Sequence, residues 1–116
     1  MSRQHHERQG RKGEAMAAWY LRAKGWRILA QRVKTPRGEV DLVARRGRTV
    51  AFVEVKWRGS AEARDWSLDA RRLQRVRAAA EALAPRFASA GDDVRIDAVL
   101  LAPGAWPRHI ANALMP

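Results

Sequence analysis

The sequence predicts an α/β domain in which a mixed sheet is flanked by helices. Three observations carry that expectation. An apolar stripe of helical period lies near the N-terminus, three successive β-prone stretches follow it with turn chemistry between them, and a second helical stripe then leads into a last Val/Leu/Ile-rich run. At 116 residues and 47% hydrophobic content the chain is one domain with a single compact core.

Taken in order, residues 1–10 lack a periodic apolar pattern and read as a flexible basic tail, leaving residues 11–116 as the domain. Ala15, Ala18 and Leu21, with Trp19 and Tyr20, predict a helix over Lys12 to Lys24, closed by Gly25 in the left-handed position beyond its end. Trp26, Ile28, Ala30 and Val33 form a first strand, and Thr35-Pro36-Arg37-Gly38 reverses the chain. Over Glu39 to Arg45, Val40, Leu42 and Ala44 share one face, and Glu39, Asp41 and Val43 the other. Gly47 breaks the pattern, which resumes over Thr49 to Trp57 with Ala51, Val53 and Val55 opposite Phe52, Glu54 and Lys56. Three consecutive antiparallel strands result. Arg58 to Trp66 has no period and reads as a loop.

Leu73, Val76, Ala80 and Leu83 then predict a long helix, with Ser67 or Asp69 as its N-cap and Pro85 past its end. Val94 to Ala102 is a strand apolar enough to be buried on both sides, and Arg108 to Leu114 reads as a short terminal helix. Trp19, Trp26 and Trp106 are assigned to the core. Trp57 and Trp66 fit core or rim packing better than stacking on bases. His109 caps or packs, His5 and His6 have no chemistry in the tail, and Asp97 pairs with its neighbour Arg95 or with a helix.

Lys and Arg number 23 against 12 Asp and Glu, a net charge of +11 that favours a polyanionic partner, nucleic acid first. A GC-rich genome accounts for Arg outnumbering Lys but not for the shortage of acids. Ribosome association and an acidic protein partner fit the same charge. Cysteine is absent, so thiolate catalysis, zinc–thiolate sites and disulfides are excluded. No apolar run approaches the roughly 20 residues that cross a bilayer, and the N-terminus lacks a secretory pattern, so the expected location is the cytoplasm, away from membranes.

A two-residue turn at Gly47-Arg48 makes paired positions sum to 95, so Asp41 faces Glu54 and Glu39 faces Lys56; a bulge at Gly47 would shift this by one. Directly opposed carboxylates repel, and a divalent cation is the strongest counter-charge available, with Lys56 a partial one. Glu14, in line with Ala18 and Leu21, starts the apolar face of its helix and points inward. Hard oxygen ligands, an ammonium and an arginine-rich surface are the parts of metal-assisted phosphodiester cleavage with Mg²⁺ or Mn²⁺. The plainer account is a solvated face with cross-strand ion pairs. Arg37, Arg58, Arg71 and Arg75, with Arg45, Arg46 and Arg48, are placed to track a phosphate backbone or to form an ordinary basic surface.

Gly13-Glu14, the run Gly38 to Ala44 and the run Phe52 to Arg58 resemble the signature blocks of the YraN-like family of small bacterial proteins. That family is similar to Holliday-junction resolvases of the PD-(D/E)XK nuclease superfamily. The match runs from about Gly10 to Leu114, Arg95-Ile96-Asp97 and His109-Ile110 included. The resemblance implies a restriction-endonuclease-like core of order αβββαβ, with Asp41, Glu54 and the Val55 carbonyl as metal ligands. It implies that Lys56 orients water or stabilises charge and that Glu14 is the helix-borne acid. A Lys beside two acids keeps its proton, so charge stabilisation is its expected role. Trp57 stands where a small polar residue is commoner, and Arg71-Arg72 where a Lys is usual. The function expected is an Mg²⁺- or Mn²⁺-dependent endonuclease on structured or branched DNA rather than RNA, acting as a homodimer on two-fold substrates. The alternatives are a non-catalytic nucleic-acid-binding module and an RNA- or ribosome-associated assembly factor.

Overall fold

The computed structural model describes the backbone of residues 2–59 and 70–114, and the side chains of residues 11–59 and 71–114. Trp66 and the proposed N-caps Ser67 and Asp69 lie outside the described residues, as do the side chains of His5 and His6. In chain order the elements are α1 (Ser2–Ala23), β1 (Arg27–Thr35), β2 (Gly38–Arg46), β3 (Thr49–Trp57), α2 (Ala70–Phe87), β4 (Asp93–Leu101) and β5 (Arg108–Ile110). The strands form one five-stranded sheet in the order β1-β2-β3-β4-β5. Neighbours are antiparallel except β3 and β4, which run parallel and are joined by α2 as the crossover that a parallel pair requires.

The sheet has a helix on each face. Ala17, Ala18 and Leu21 of α1 pack with Leu42, Ala44, Ala51, Val53, Val99 and Leu101. Val76, Ala79, Ala80 and Leu83 of α2 pack with Val40, Val43, Val50 and Phe52. Gly25, at φ +92°, ends α1, and the Trp26 amide donates back to the Leu21 carbonyl at 3.0 Å, satisfying a terminal carbonyl. The pairs Leu42↔Val53 through Arg46↔Thr49 give the expected register, with Gly47-Arg48 as the two-residue turn.

Several expectations need correction. α1 begins at Ser2 rather than Lys12. Pro85 lies inside the last turn of α2 rather than past the helix end, where it forgoes the bond that an N–H would donate to the Glu81 carbonyl. The first part of β4 is open to solvent, with Val94 exposed, and only its second half is buried. Trp26 is core, but Trp19 and Trp106 are 63% and 79% exposed. The segment read as a terminal helix is a strand, Arg108–Ile110, followed by a turn over residues 111–114. Long-range partners decide this: Ala98 and Leu100 of β4 pair with Ile110 and Arg108, the Asn112 amide donates to Asp97 at 3.1 Å, and the Ala113 amide donates to the Ile96 carbonyl at 2.7 Å. Local spacing does not register such acceptors.

Candidate active site

β2 and β3 separate immediately beyond the pair Leu42↔Val53. At that point the Val55 amide, instead of bonding to a β2 carbonyl, donates to Asp41 Oδ2 at 2.8 Å. Asp41 and Glu54 are 8% and 6% exposed, so two carboxyl groups are buried side by side where the ladder opens. Asp41 is pushed up from 3.8 to about 7, first by burial and then by the negative charge of Glu54, with which it shares a hydrogen bond. Asp41 therefore tends to keep its proton, shared with Glu54 through that hydrogen bond, unless another cation takes its place.

Each flanking helix sends a charged group toward the pair. Glu14 of α1 is buried and accepts a 2.7 Å bond from Arg32 Nε. Burial raises the Glu14 pKa, the Arg32 bond opposes the rise, and the Asp41 charge adds to it. Arg32 reaches Glu14 from a left-handed residue of β1, φ 53°. From α2, Arg72 Nε lies 2.8 Å from Glu54 Oε1. That oxygen is nonetheless buried without a hydrogen-bond donor, so the contact is one of charge and leaves a lone pair open. Val55 contributes its amide to Asp41. Lys56 is half-buried on β3, two residues beyond Glu54 and on the same face by alternation. Among the described residues no group of three or more His, Asp or Glu side chains is gathered as a metal cluster.

Glu54 also lines a groove of about 460 Å³ whose walls carry Lys34, Arg37, Arg72 and Arg75, with Glu39 and Val76. The groove depends on the close approach of the β1–β2 turn to α2: a Cβ at Gly38 would sit 2.6 Å from the Arg75 carbonyl oxygen. Of the seven arginines expected to meet phosphate, Arg37 and Arg75 line this groove, and Arg45, Arg46, Arg48, Arg58 and Arg71 do not. Sequence reasoning missed Arg32, Lys34 and Arg72. Only Arg72 left a signal, since it precedes Val76 by four residues and so lies over the buried stripe of α2 rather than opposite it.

Asp97, Arg95 and His109 form a separate cluster. Asp97 is fully buried and takes bonds from Arg95 Nη2 at 2.8 Å, Arg95 Nε at 3.2 Å and the Asn112 amide. Lys24 Nζ donates to His109 Nδ1 at 3.3 Å, which leaves Nε2 as the donor to Asp97 at 2.7 Å. Burial pushes the Asp97 pKa up, but the bonds from His109, Arg95 and Asn112 outweigh it and hold the carboxyl below its ordinary range. The pairing of Arg95 with Asp97 is as expected, and the cluster clamps the C-terminal segment to β4.

The model described as "Uncharacterised protein family UPF0102" matches residues 13–101, which include Glu14, Asp41, Glu54 and Lys56. The chain belongs to UPF0102. It is 65% identical to a UPF0102 protein of Erythrobacter litoralis and 59% identical to one of Sphingopyxis alaskensis, each alignment covering 100% of both chains. The YraN-like resemblance of the three sequence blocks is thus a family membership. Among solved structures, the UPF0102 chain is similar in fold to Archaeoglobus fulgidus Hjc, a Holliday junction resolvase, with a TM-score of 0.61 over 90% of this chain and 78% of that one. At 20% identity the likeness is one of fold, and it places the mixed sheet in the restriction-endonuclease-like class. Among the described residues of this UPF0102 protein no helix is long and apolar enough to cross a membrane.

Proposed function

We propose that this protein is a metal-dependent endonuclease that hydrolyses phosphodiester bonds in structured or branched DNA. The observation that carries the reading is the buried Asp41–Glu54 pair, whose Glu54 lines a basic groove. Two hard oxygen donors in a desolvated site fit Mg²⁺ or Mn²⁺, provided Arg72 yields its place beside Glu54. When bound, such an ion supplies charge neutralisation and a water of lowered pKa. Asp41 and Glu54 hold the ion, with the Val55 carbonyl as a third oxygen. Lys56 offsets charge developing on the phosphate, and Glu14, tied to Arg32, shapes the electrostatics around Asp41. Lys34, Arg37 and Arg75 guide the strand, and Arg58 and Arg71 add to the basic surface around it. The fold likeness to a Holliday junction resolvase favours branched DNA over RNA, and a two-fold junction suits a homodimer in the cytoplasm.

The test is incubation of the purified protein with a panel of branched and linear DNAs in MgCl₂ or MnCl₂. Cleavage of branched substrates that disappears in both Asp41→Ala and Glu54→Ala is the expected result. Cleavage that persists in both variants comes from another protein and removes the assignment.

One observation favours a second reading, a nucleic-acid-binding module without turnover. Glu14 and Glu54 already have guanidinium partners in Arg32 and Arg72, so part of the counter-charge is built in. Titration calorimetry separates the two: DNA binding that is salt-sensitive, with no saturable binding of Mg²⁺ or Mn²⁺, belongs to the module.

A further inference from the structure

On the outer side of α1 a groove of about 440 Å³ is lined by Lys12, Ala15, Met16 and Trp19, and closed by Trp106 and Pro107 from the β4–β5 connection. Its two indoles contribute little to the core, since α1 buries Ala17, Ala18 and Leu21 and leaves Trp19 facing out. Apolar surface of this kind in a small domain marks a contact site. We propose that the groove receives an unpaired nucleobase of a bound strand, stacked on Trp19 and Trp106. The inference rests on the nucleic-acid reading above and extends it to a site apart from the carboxylate pair.

Charge favours a polyanionic occupant: a chain of net charge +11 draws a nucleic-acid strand, and Lys12, which lines the groove, can meet a phosphate. Indole faces stack on any base, so such a site takes unpaired nucleotides with little regard to sequence. Trp19 follows Glu14 by five residues, about 140° around a helix that turns ~100° per residue, so the groove lies across α1 from the acids.

The experiment measures the affinity of a short oligothymidylate and of a blunt, fully paired duplex by fluorescence anisotropy at fixed low salt, with intrinsic tryptophan quenching as a second signal. Probes are compared on wild type, Trp19→Ala, Trp106→Ala and Trp19→Phe, whose folding is checked by circular dichroism. The alanine variants should lose about 5- to 150-fold in affinity for the single strand, the range that stacking of one base supplies. Trp19→Phe should recover part of that loss, and duplex affinity should hold within about twofold across all variants. Unchanged single-strand affinity overturns the inference and leaves the basic groove as the nucleic-acid site. Equal losses on both probes overturn it too, because the indoles then do not read unpaired bases. A wild-type dimer that Trp19→Ala dissolves assigns the groove to a second copy. Wild type that binds neither probe removes the nucleic-acid reading itself, and this inference with it.

Discussion

Replacing Asp41 by Asn isolates the charge of the acid pair from its role in the sheet. Asparagine keeps a side-chain oxygen for the Val55 amide but cannot ionise. In the folded protein Asp41 titrates at about 7, against 3.8 for the free side chain, so ionising it in place costs about 3 pH units at ~1.36 kcal/mol each, or about 4 kcal/mol. Because the folded value is the higher one, the stability Asp41 contributes is fully present below 3.8 and is lost as pH rises through 7. Asp41→Asn should therefore match wild type near pH 4 and exceed it by about 4 kcal/mol near pH 8, a rise of roughly 10–15 °C in melting temperature for a chain this size. Urea unfolding across that pH range measures the difference, in which groups remote from the Asp41–Glu54 pair cancel. Excess MgCl₂ near pH 8 should stabilise wild type by mass action and leave the variant unchanged. A gap between the two proteins that does not vary with pH would refute the reasoning, since Asp41 would then not be the acid holding the shared proton.

Three further outcomes follow from the geometry. Asp97→Asn should destabilise by about 3–5 kcal/mol near neutral pH, because it strips a fully buried carboxylate from Arg95 and His109; as the Asp97 pKa is depressed, the deficit should shrink as pH falls through the acid range, which acid titration of both proteins tests. Arg72→Ala should tighten Mg²⁺ binding by up to about tenfold in calorimetry, the worth of a ~1.4 kcal/mol charge contact, and equal or weaker binding would show that the guanidinium does not compete for Glu54. Arg37→Ala combined with Arg75→Ala should lower the salt slope of DNA binding by about 1.8, at ~0.9 per phosphate contact, and an unchanged slope would take the strand out of that groove.

What the sequence made legible is what local rules govern. A two-residue turn fixes the register of the β2–β3 hairpin, so paired positions sum to 95 from Arg46↔Thr49 to Leu42↔Val53; the ladder stops there, and the expected pairs Asp41–Glu54 and Glu39–Lys56 do not form, although Asp41 and Glu54 remain neighbours. The inward Glu14 followed from its phase with Ala18 and Leu21. What stayed hidden depends on distant partners. β5 is three residues long and is held because Asp97 and the Ile96 carbonyl accept bonds from the Asn112 and Ala113 amides in the turn that follows it. The left-handed φ of Arg32 has no signature in an arginine, a residue that ordinarily avoids it. Trp19 and Trp106 were misassigned because large apolar residues are usually inside; their exposure is informative for that reason.

The carboxylate that makes the site also shapes it. Once Asp41 takes the Val55 amide, β3 no longer needs β2 beyond Val53, yet its pairing with β4 continues from Glu54↔Ala98 to Trp57↔Leu101. One strand is thereby held on one side and released on the other, and the gap admits Arg72 from α2 and Glu14 from α1. The two roles of Asp41 respond to different substitutions. Asp41→Ala removes charge and acceptor together and leaves the Val55 amide without its partner, a loss of about 1–3 kcal/mol that offsets part of the gain from deleting the charge. Asp41→Asn removes the charge alone and keeps the whole gain. If both variants lose cleavage while Asp41→Asn is the more stable of the two and more stable than wild type near pH 8, unfolding cannot explain the loss, and the charge itself is what the reaction requires. Cleavage retained by Asp41→Asn would assign this residue to the sheet and leave Glu54 to bind the ion alone.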